Sequence, residues 1–375
     1  MASHGPATPE GPSVLAALVK PEPSDPPPAN GNRPPVSVVL CSYRGTAHLG
    51  AQLDSLEAQS WPVIVHVHDD ASGDATAELA RRHTVVDRTF AHAANLGFVG
   101  NFERGIASAL ESGAGYLALS DQDDVWSPER VRLTMETMLD TERAHGRDHP
   151  VLVHSDLTVV GGNGAPLHDS YLALRGYAID DTPDLARVLG QNGVMGNTVL
   201  VNRSLARLAL PFPRSLHAHD WWLALVAELY GVRRLVPRAL VDYRTHESNA
   251  SNPAGSLAPG MLAIVRRAGW RGILERDFRL PYLEDSRRFV LEGLLDGDGH
   301  RPVPERERRA LIEDFLRYLR LESSRLALLR LVLRRSFLRR GLRHRLRVTL
   351  ALLVSRRYDS ERTERARAAA EPPRS

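Results

Sequence analysis

The sequence predicts an α/β fold: a mainly parallel central sheet flanked by helices, followed by a C-terminal helical extension. Three observations predict it. Short β-branched apolar runs alternate with helical patterns between residues 35 and 140. Acidic pairs stand directly after two of those runs, where a parallel sheet opens its ligand-binding edge. From about residue 260 the chain is rich in Leu and Arg and carries helical rather than strand patterns.

The elements follow in order. "PVSVVLCSY" is a buried strand, because its Val and Leu residues leave no polar face. "TAHLGAQLDSLEAQ" spaces Leu49, Leu53 and Leu56 along one helical face. "PVIVHVHDD" is the second strand, and "SGDATAELARRH" a helix capped by Ser72 or Asp74. "TVVDRTF" reads as a third strand, "VGNFERGIASALESG" as a helix ending at Gly113, and "YLALSD" as a fourth strand. In "SPERVRLTMETMLD", Ser127 is a good N-cap and Pro128 suits the first helical position. Strands alternating with helices imply right-handed crossovers and a parallel sheet. Beyond residue 150, "VLVHSDLTVV", "NTVLVN" and a bent "RRLVPRALVDYR" read as strands and "HDWWLALVAELYG" as a helix. These complete the sheet and supply the second wall of a cleft.

Composition sets the surroundings. Residues 1–34 are a Pro-rich leader whose composition cannot offset its own chain entropy. The net charge of +3 conceals an asymmetry, since residues 325–357 hold 11 Arg and no Asp or Glu. Cys41 is the single cysteine, so no intrachain disulfide is possible, which suits a reducing compartment. Neither a signal-peptide pattern nor a run of about 18 apolar residues occurs, so no secretion signal and no transmembrane helix are expected. The expected division is 1–34 leader, 35–258 catalytic domain, 259–358 basic helical extension and 359–375 polar tail.

The chemistry concentrates in "LALSDQDDVWSPERV". Asp121 and Asp123 leave a strand two residues apart and can face one hard divalent cation, Mn²⁺ or Mg²⁺, completed by phosphate oxygens. Asp124 suits the start of the next helix. An acidic turn after a strand is also an ordinary solvated loop. Asp69 and Asp70 end the second strand, where a carboxylate can accept a hydrogen bond from a nucleobase or ribose; capping the next helix is the alternative. Asp220 opens "HDWWLALVAEL" as either a helix cap or a base. His217 and His219 flank it as surface or supporting histidines, with metal ligation as the less common alternative. Of Trp221 and Trp222, about 100° apart on a helix, one faces the core; the other either joins the core, the favoured reading, or stacks on a sugar. The glycines of "GQNGVMGN" permit close backbone approach or make a plain turn.

Together "VSVVLCSYR", "HDDASGDAT", "NLGFVGNFERGI", "LSDQDDVWSPERV", "GNTVLVNR" and "HDWWL" resemble, in order and spacing, the family 2 glycosyltransferases. They are most similar to the bacterial rhamnosyltransferase-like, polysaccharide-assembly branch. The resemblance runs from Val36 to Asn252. It implies a GT-A fold and inverting transfer of a sugar, rhamnose among the candidates, from a dTDP- or UDP-sugar to a glycan or lipid-linked acceptor. It implies nucleotide-sugar contacts at Cys41, Tyr43, Asp70, Asp121 and Arg244. It also implies metal ligation by Asp121, Asp123 and His246, and a catalytic base at Asp220. "CSYR" and "DDAS" depart mildly from the usual "TxNR" and "DDGS".

Such a reaction asks for a neutralised leaving diphosphate, a carboxylate to take the acceptor proton, and in-line substrates. The basic segment 325–357 suits either the surface of an anionic membrane, with a cytoplasmic protein peripheral on the inner face, or a hairpin packed on the domain. Nucleic acid is not expected as a partner, because aromatic residues scarcely interleave with the Arg. A non-catalytic scaffold of the same fold is the rival class. A nucleotidyltransferase is a third, but "CSYRGTAHLG" is a poor Gly-rich phosphate loop.

Overall fold

The computed structural model describes residues 33–177, 180–245, 284–297, 299–320, 324–335 and 337. The expected metal ligand His246, most of the leader, the polar tail and most of 325–357 lie outside the described residues.

The first strand, β1 (Val36–Ser42), is buried along its whole length. Its side chains alternate, with Val36, Val38 and Leu40 entering one hydrophobic cluster and Val39 and Cys41 the other. Helix α1 (Leu49–Glu57) buries Leu49, Leu53 and Leu56 against the first cluster, on the leucine spacing the sequence displays. β2 (Val63–Asp69), α2 (Thr76–Arg82), β3 (Val86–Ala91), α3 (Gly97–Glu111) and β4 (Tyr116–Ser120) follow in βαβ order. β1 pairs in parallel with β2 and β4, and β2 with β3. A two-residue strand β5 (Val125–Trp126) leads into α4 (Arg130–His145).

The second half is mixed. β6 (Val151–Val160), β7 (Pro166–His168), α5 (Tyr171–Arg175), α6 (Leu185–Gly190), β8 (Leu200–Asn202), α7 (Arg203–Ala209), α8 (His219–Tyr230) and β9 (Val232–Arg244) run in order. Among the described residues one sheet has the order β3-β2-β1-β4-β8-β6-β9-β5, with β7 beside β6. β8 is antiparallel to β4 and β6, whereas β9 is parallel to β6 with register shifts near Asp156, the bend expected in "RRLVPRALVDYR". The sheet is therefore parallel through its first four strands and mixed beyond them.

Three helices close the described chain: α9 (Glu284–Asp296), α10 (Arg306–Arg320) and α11 (Arg325–Arg335). Val290, Leu291, Leu294, Ile312, Phe315, Leu316, Leu319 and Leu328 join the cluster that contains Leu189, Trp221 and Trp222. These helices thus share a core with α6 and α8. Among the described residues no helix is long and apolar enough to cross a membrane.

Local details differ from expectation. α2 starts at Thr76, because Ser72 bonds Asp69 and the Arg44 N–H instead of capping. Ala75 holds the N-cap position without a side-chain cap, and Asp74 before it accepts from the Thr76 N–H at 2.9 Å. α4 starts at Arg130 after a turn closed by the Arg130 N–H on the Ser127 carbonyl. Within "NTVLVN" only Leu200–Asn202 is strand; a 3-10 turn, Gly196–Thr198, precedes it.

Candidate active site

The carboxyl ends of β1, β2 and β4 lie side by side, since β1 stands between the other two. Asp69 and Asp70 therefore come to the same edge as the loop 121–124, although 50 residues separate them in sequence. The buried Cys41 thiol registers both: burial first, then Asp121 and Asp70, push its pKa well up. Cys41 packs in the core, 8% exposed.

Asp70 is buried and already employed. Its Oδ1 accepts from the Leu96 N–H at 2.6 Å, and its carbonyl accepts from Asn95 Nδ2 at 3.0 Å. The strand end is thereby tied to the loop entering α3. Asp69 accepts from the Ser72 N–H and hydroxyl. Between them Ala71 adopts φ +58°, and Arg44 on the neighbouring loop φ +52°. Both lie in the left-handed region that disfavours side chains.

Gln122 clasps the two loops together. Its Oε1 accepts from the Tyr43 N–H at 2.8 Å and its Nε2 donates to the Tyr43 carbonyl at 2.9 Å. Tyr43 itself is exposed at the rim, with the Arg44 guanidinium 5.1 Å from its ring. Arg244, at the end of β9, donates from Nε to the Asp123 carbonyl at 3.3 Å and from Nη1 to the Gly162 carbonyl at 2.9 Å. It props the acidic loop from the second half of the fold.

Three carboxylates converge. Burial, then Asp123, then Asp220 push the Asp121 pKa up to about 7. Asp220 is raised to about 6 by burial, opposed by hydrogen bonds from the Trp221 N–H, Asn192 and the Gly196 N–H, and by the charge of Arg287. The Trp221 N–H lies 2.6 Å from Asp220 Oδ1. Asp220 also sits in the first turn of α8, where the helix dipole favours the anion.

Asp124 is different in kind. It is buried, accepts from Asn197 Nδ2, and leaves its Oδ1 without a hydrogen-bond partner. Beside it Arg130 is buried, donates to the Asn197 carbonyl at 2.8 Å, and holds its guanidinium 3.3 Å over the Trp126 ring. Burial lowers the Arg130 pKa to about 9, with Asp124 opposing. Asp124 is thus an internal strut.

The donor set of Asp121 and Asp123 fits a divalent cation. Asp121 is crowded by both Asp123 and Asp220, and a dication would relieve that repulsion while leaving positions for phosphate and water oxygens. Among the described residues, a group of three potential metal ligands with atoms within 4.8 Å of one another is elsewhere, at Asp54, Glu57 and His83. There Asp54 Oδ1 already pairs with His83 Nε2 at 3.1 Å.

Around Asp220 the aromatic residues are structural. Trp221 and Trp222 are both buried and donate to the Val188 and Ala209 carbonyls, so neither offers a face to a sugar. The core reading therefore holds for both, and neither is left to stack on a sugar. His219 is buried, stacked on Phe102 at 4.1 Å, and kept neutral by a pKa lowered to about 3. A Cβ on Gly196 would lie 2.6 Å from His219 Nε2, so this glycine of "GQNGVMGN" permits a close approach. Sequence reasoning did not find Gln122, Arg130, Asn192, Asn197 or Arg287. Asn197 had a signal, as part of "GNTVLVNR"; Arg287 had none.

Comparison with known proteins bears on this geometry. A model of the family described as "Glycosyl transferase family 2" matches residues 37–147. A protein of Bacillus subtilis (strain 168), named for teichuronic acid biosynthesis as glycosyltransferase TuaG, is 24% identical over 229 residues, 59% of this chain and 82% of that protein. The crystal structure of S. aureus TarS is 16% identical and superposes with a TM-score of 0.50, covering 89% of this chain and 52% of that one. The mannosyltransferase PcManGT from Pyrobaculum calidifontis, solved with GDP-Man and Mn²⁺, is 17% identical, covers 94% of this chain and 89% of its own, and has a TM-score of 0.47.

Proposed function

Residues 37–147 belong to glycosyl transferase family 2, and from that premise, with the GT-A fold of the chain, we propose an inverting, metal-dependent transfer of a sugar from a nucleoside-diphosphate sugar to an acceptor hydroxyl. The observation that carries it is the convergence of Asp121, Asp123 and Asp220 at the sheet edge that also holds Asp70.

Asp70, with Cys41 and Tyr43, would contact the nucleobase and ribose of the donor. Asp121 and Asp123 would hold Mn²⁺ or Mg²⁺, with His246 as a further ligand from outside the described residues; the cation would supply charge neutralisation to the leaving diphosphate. Arg244 brings a fixed positive charge to the same loop. Asp220 takes the acceptor proton. As the acceptor oxygen bonds to the anomeric carbon, the bond from that carbon to the phosphate oxygen breaks and the nucleoside diphosphate leaves. Attack from the face opposite the leaving group inverts the anomeric centre. A carboxylate raised to about 6 by burial is a stronger base than a free aspartate yet largely ionised at neutral pH.

The name of the B. subtilis relative supports a role in cell-surface polysaccharide synthesis. The acceptor is then a glycan or lipid-linked glycan met at the cytoplasmic face of the membrane, and rhamnose is one candidate sugar. The test is nucleoside diphosphate release from UDP-GlcNAc, UDP-glucose, dTDP-rhamnose and GDP-mannose, each with Mn²⁺ and with EDTA. Release from at least one donor, lost in EDTA, is expected; no metal-dependent release from any of the four would sink the reading.

A further inference from the structure

The catalytic carboxylate is not held by its own domain alone. The loop that follows α6 packs against it: a Cβ on Gly196 would lie 3.7 Å from the Asp220 Cβ, and the Asn192 side chain and the Gly196 N–H favour the ionised carboxylate. That loop begins at the carboxyl end of α6, and the C-terminal helices grip it there. Arg287, on α9, is buried and donates from Nη1 to the Leu189 carbonyl at 2.9 Å. This carbonyl belongs to the last turn of α6, where helix carbonyls lack partners within the helix.

The same guanidinium lies 5.0 Å from the Trp221 ring, within cation–π range. Trp221 in turn donates its indole N–H to the Val188 carbonyl at 2.8 Å. Arg287 and Trp221 therefore bind two successive carbonyls of α6, and Trp221 is the residue after Asp220. One residue further on, a Cβ on Gly190 would lie 1.9 Å from the Phe337 carbonyl oxygen. Phe337 is itself seated on Phe315 of α10, with ring centroids 5.0 Å apart.

We infer that the C-terminal helical extension is a working part of the active site, with Arg287 as the positioning residue that fixes loop 190–196 and the Trp221 end of α8 around Asp220. The inference rests on Asp220 being the base. Arg287 touches no reacting atom. It acts through Leu189 and Trp221, and its charge also favours the ionised form of the Asp220 carboxylate. A base displaced by about 1 Å loses its line to the acceptor hydroxyl while the nucleotide-binding edge, formed by β1, β2 and β4, is untouched. Such displacements cost up to about a hundredfold in rate.

The test uses the full-length chain and its Arg287→Gln, Arg287→Lys and Asp220→Asn variants. Steady-state nucleoside diphosphate release is measured with Mn²⁺ and whichever of UDP-GlcNAc, UDP-glucose, dTDP-rhamnose or GDP-mannose turns over fastest. Circular dichroism establishes that each variant is folded. R287Q should lower kcat by about tenfold or more with donor KM within about twofold. R287K keeps the charge but not the planar guanidinium that reaches both Leu189 and Trp221, and should lose about threefold in kcat. Wild-type kcat in R287Q or R287K, alongside a dead D220N, overturns the inference. So does a rise in donor KM that matches the loss in kcat, which marks general damage. If R287Q does not fold, R287K decides by the same criteria. Retained turnover in D220N instead overturns the assignment of the base, and with it this inference.

Discussion

Ala71 stands between Asp70 and Ser72 with φ +58°, a conformation that costs a residue with a Cβ about 1–2 kcal/mol. The turn is held by the Ser72 N–H on Asp69 and the Ala71 N–H on the Asp69 carbonyl at 2.9 Å, so the strain is fixed by its neighbours. Glycine relieves the strain but gives up about 0.5–1 kcal/mol of chain entropy. Ala71→Gly should therefore stabilise the protein by up to about 1 kcal/mol, and Ala71→Val should destabilise it, both read as the urea midpoint. A lower midpoint for A71G would contradict this account of the turn. The same glycine stands in the more usual "DDGS" form of the segment, which is the sequence-level trace of that backbone requirement. Asp124 also resolves at this scale. Three aspartates within four positions divide into two partly buried ones, which the proposed function assigns to a cation, and one that struts the loop through Asn197.

At the scale of elements, the helix–loop junction at Gly190 carries a sharp expectation. Gly190→Ala sets a methyl against the Phe337 carbonyl. Backbone on both sides must shift, at a cost of about 1–3 kcal/mol. Gly50, inside α1, has open space where a methyl would stand, with nothing within 4 Å, and Gly50→Ala should stabilise by about 0.5 kcal/mol. Thermal melts of the pair should move in opposite directions; equal shifts would refute the packing at Gly190. Which elements exist was readable from sequence, because burial periodicity is local: Leu49, Leu53 and Leu56, or the Val alternation of β1, need no tertiary knowledge. Where elements end was less readable. Ser72 and Ser127 have good capping chemistry, yet Ser72 is drawn to Asp69 and Arg44. Trp221 and Trp222 were readable as helical, but the surface that buries both was not, since it comes from α6, α7 and α9. Arg287 was beyond reach: nothing in "EDSRRFVLEG" distinguishes it from its neighbour Arg288, and only the docking of α9 brings it to Trp221.

Across the whole molecule, buried titratable groups of opposite sign set the acid response. His68 and His219 are buried and their pKa values are lowered to about 3, from 6.5. The unfolded chain protonates them first, so their contribution to stability is lost as pH falls from about 6.5 toward 3, with a slope of at most about 1.4 kcal/mol per pH unit for each. Asp121 and Asp220 act the other way. Raised to about 7 and about 6, they cost stability when ionised and return it as pH falls toward 3.8. The metal-free protein should therefore have a shallow Tm profile between about pH 6.5 and 4. The Asp121→Asn, Asp220→Asn double variant should be more stable at pH 8 and fall more steeply with acid. Parallel profiles for the two proteins would show that these carboxylates are not crowded as described.

The central claim is that Asp220 removes the acceptor proton in a transfer whose leaving group is held by Asp121 and Asp123. The most direct measurement is nucleoside diphosphate release by Asp220→Asn against wild type, at saturating donor and Mn²⁺. The account predicts a loss of about a hundredfold or more, with UDP binding in the presence of Mn²⁺ unchanged by calorimetry. Release within about threefold of wild type would contradict it.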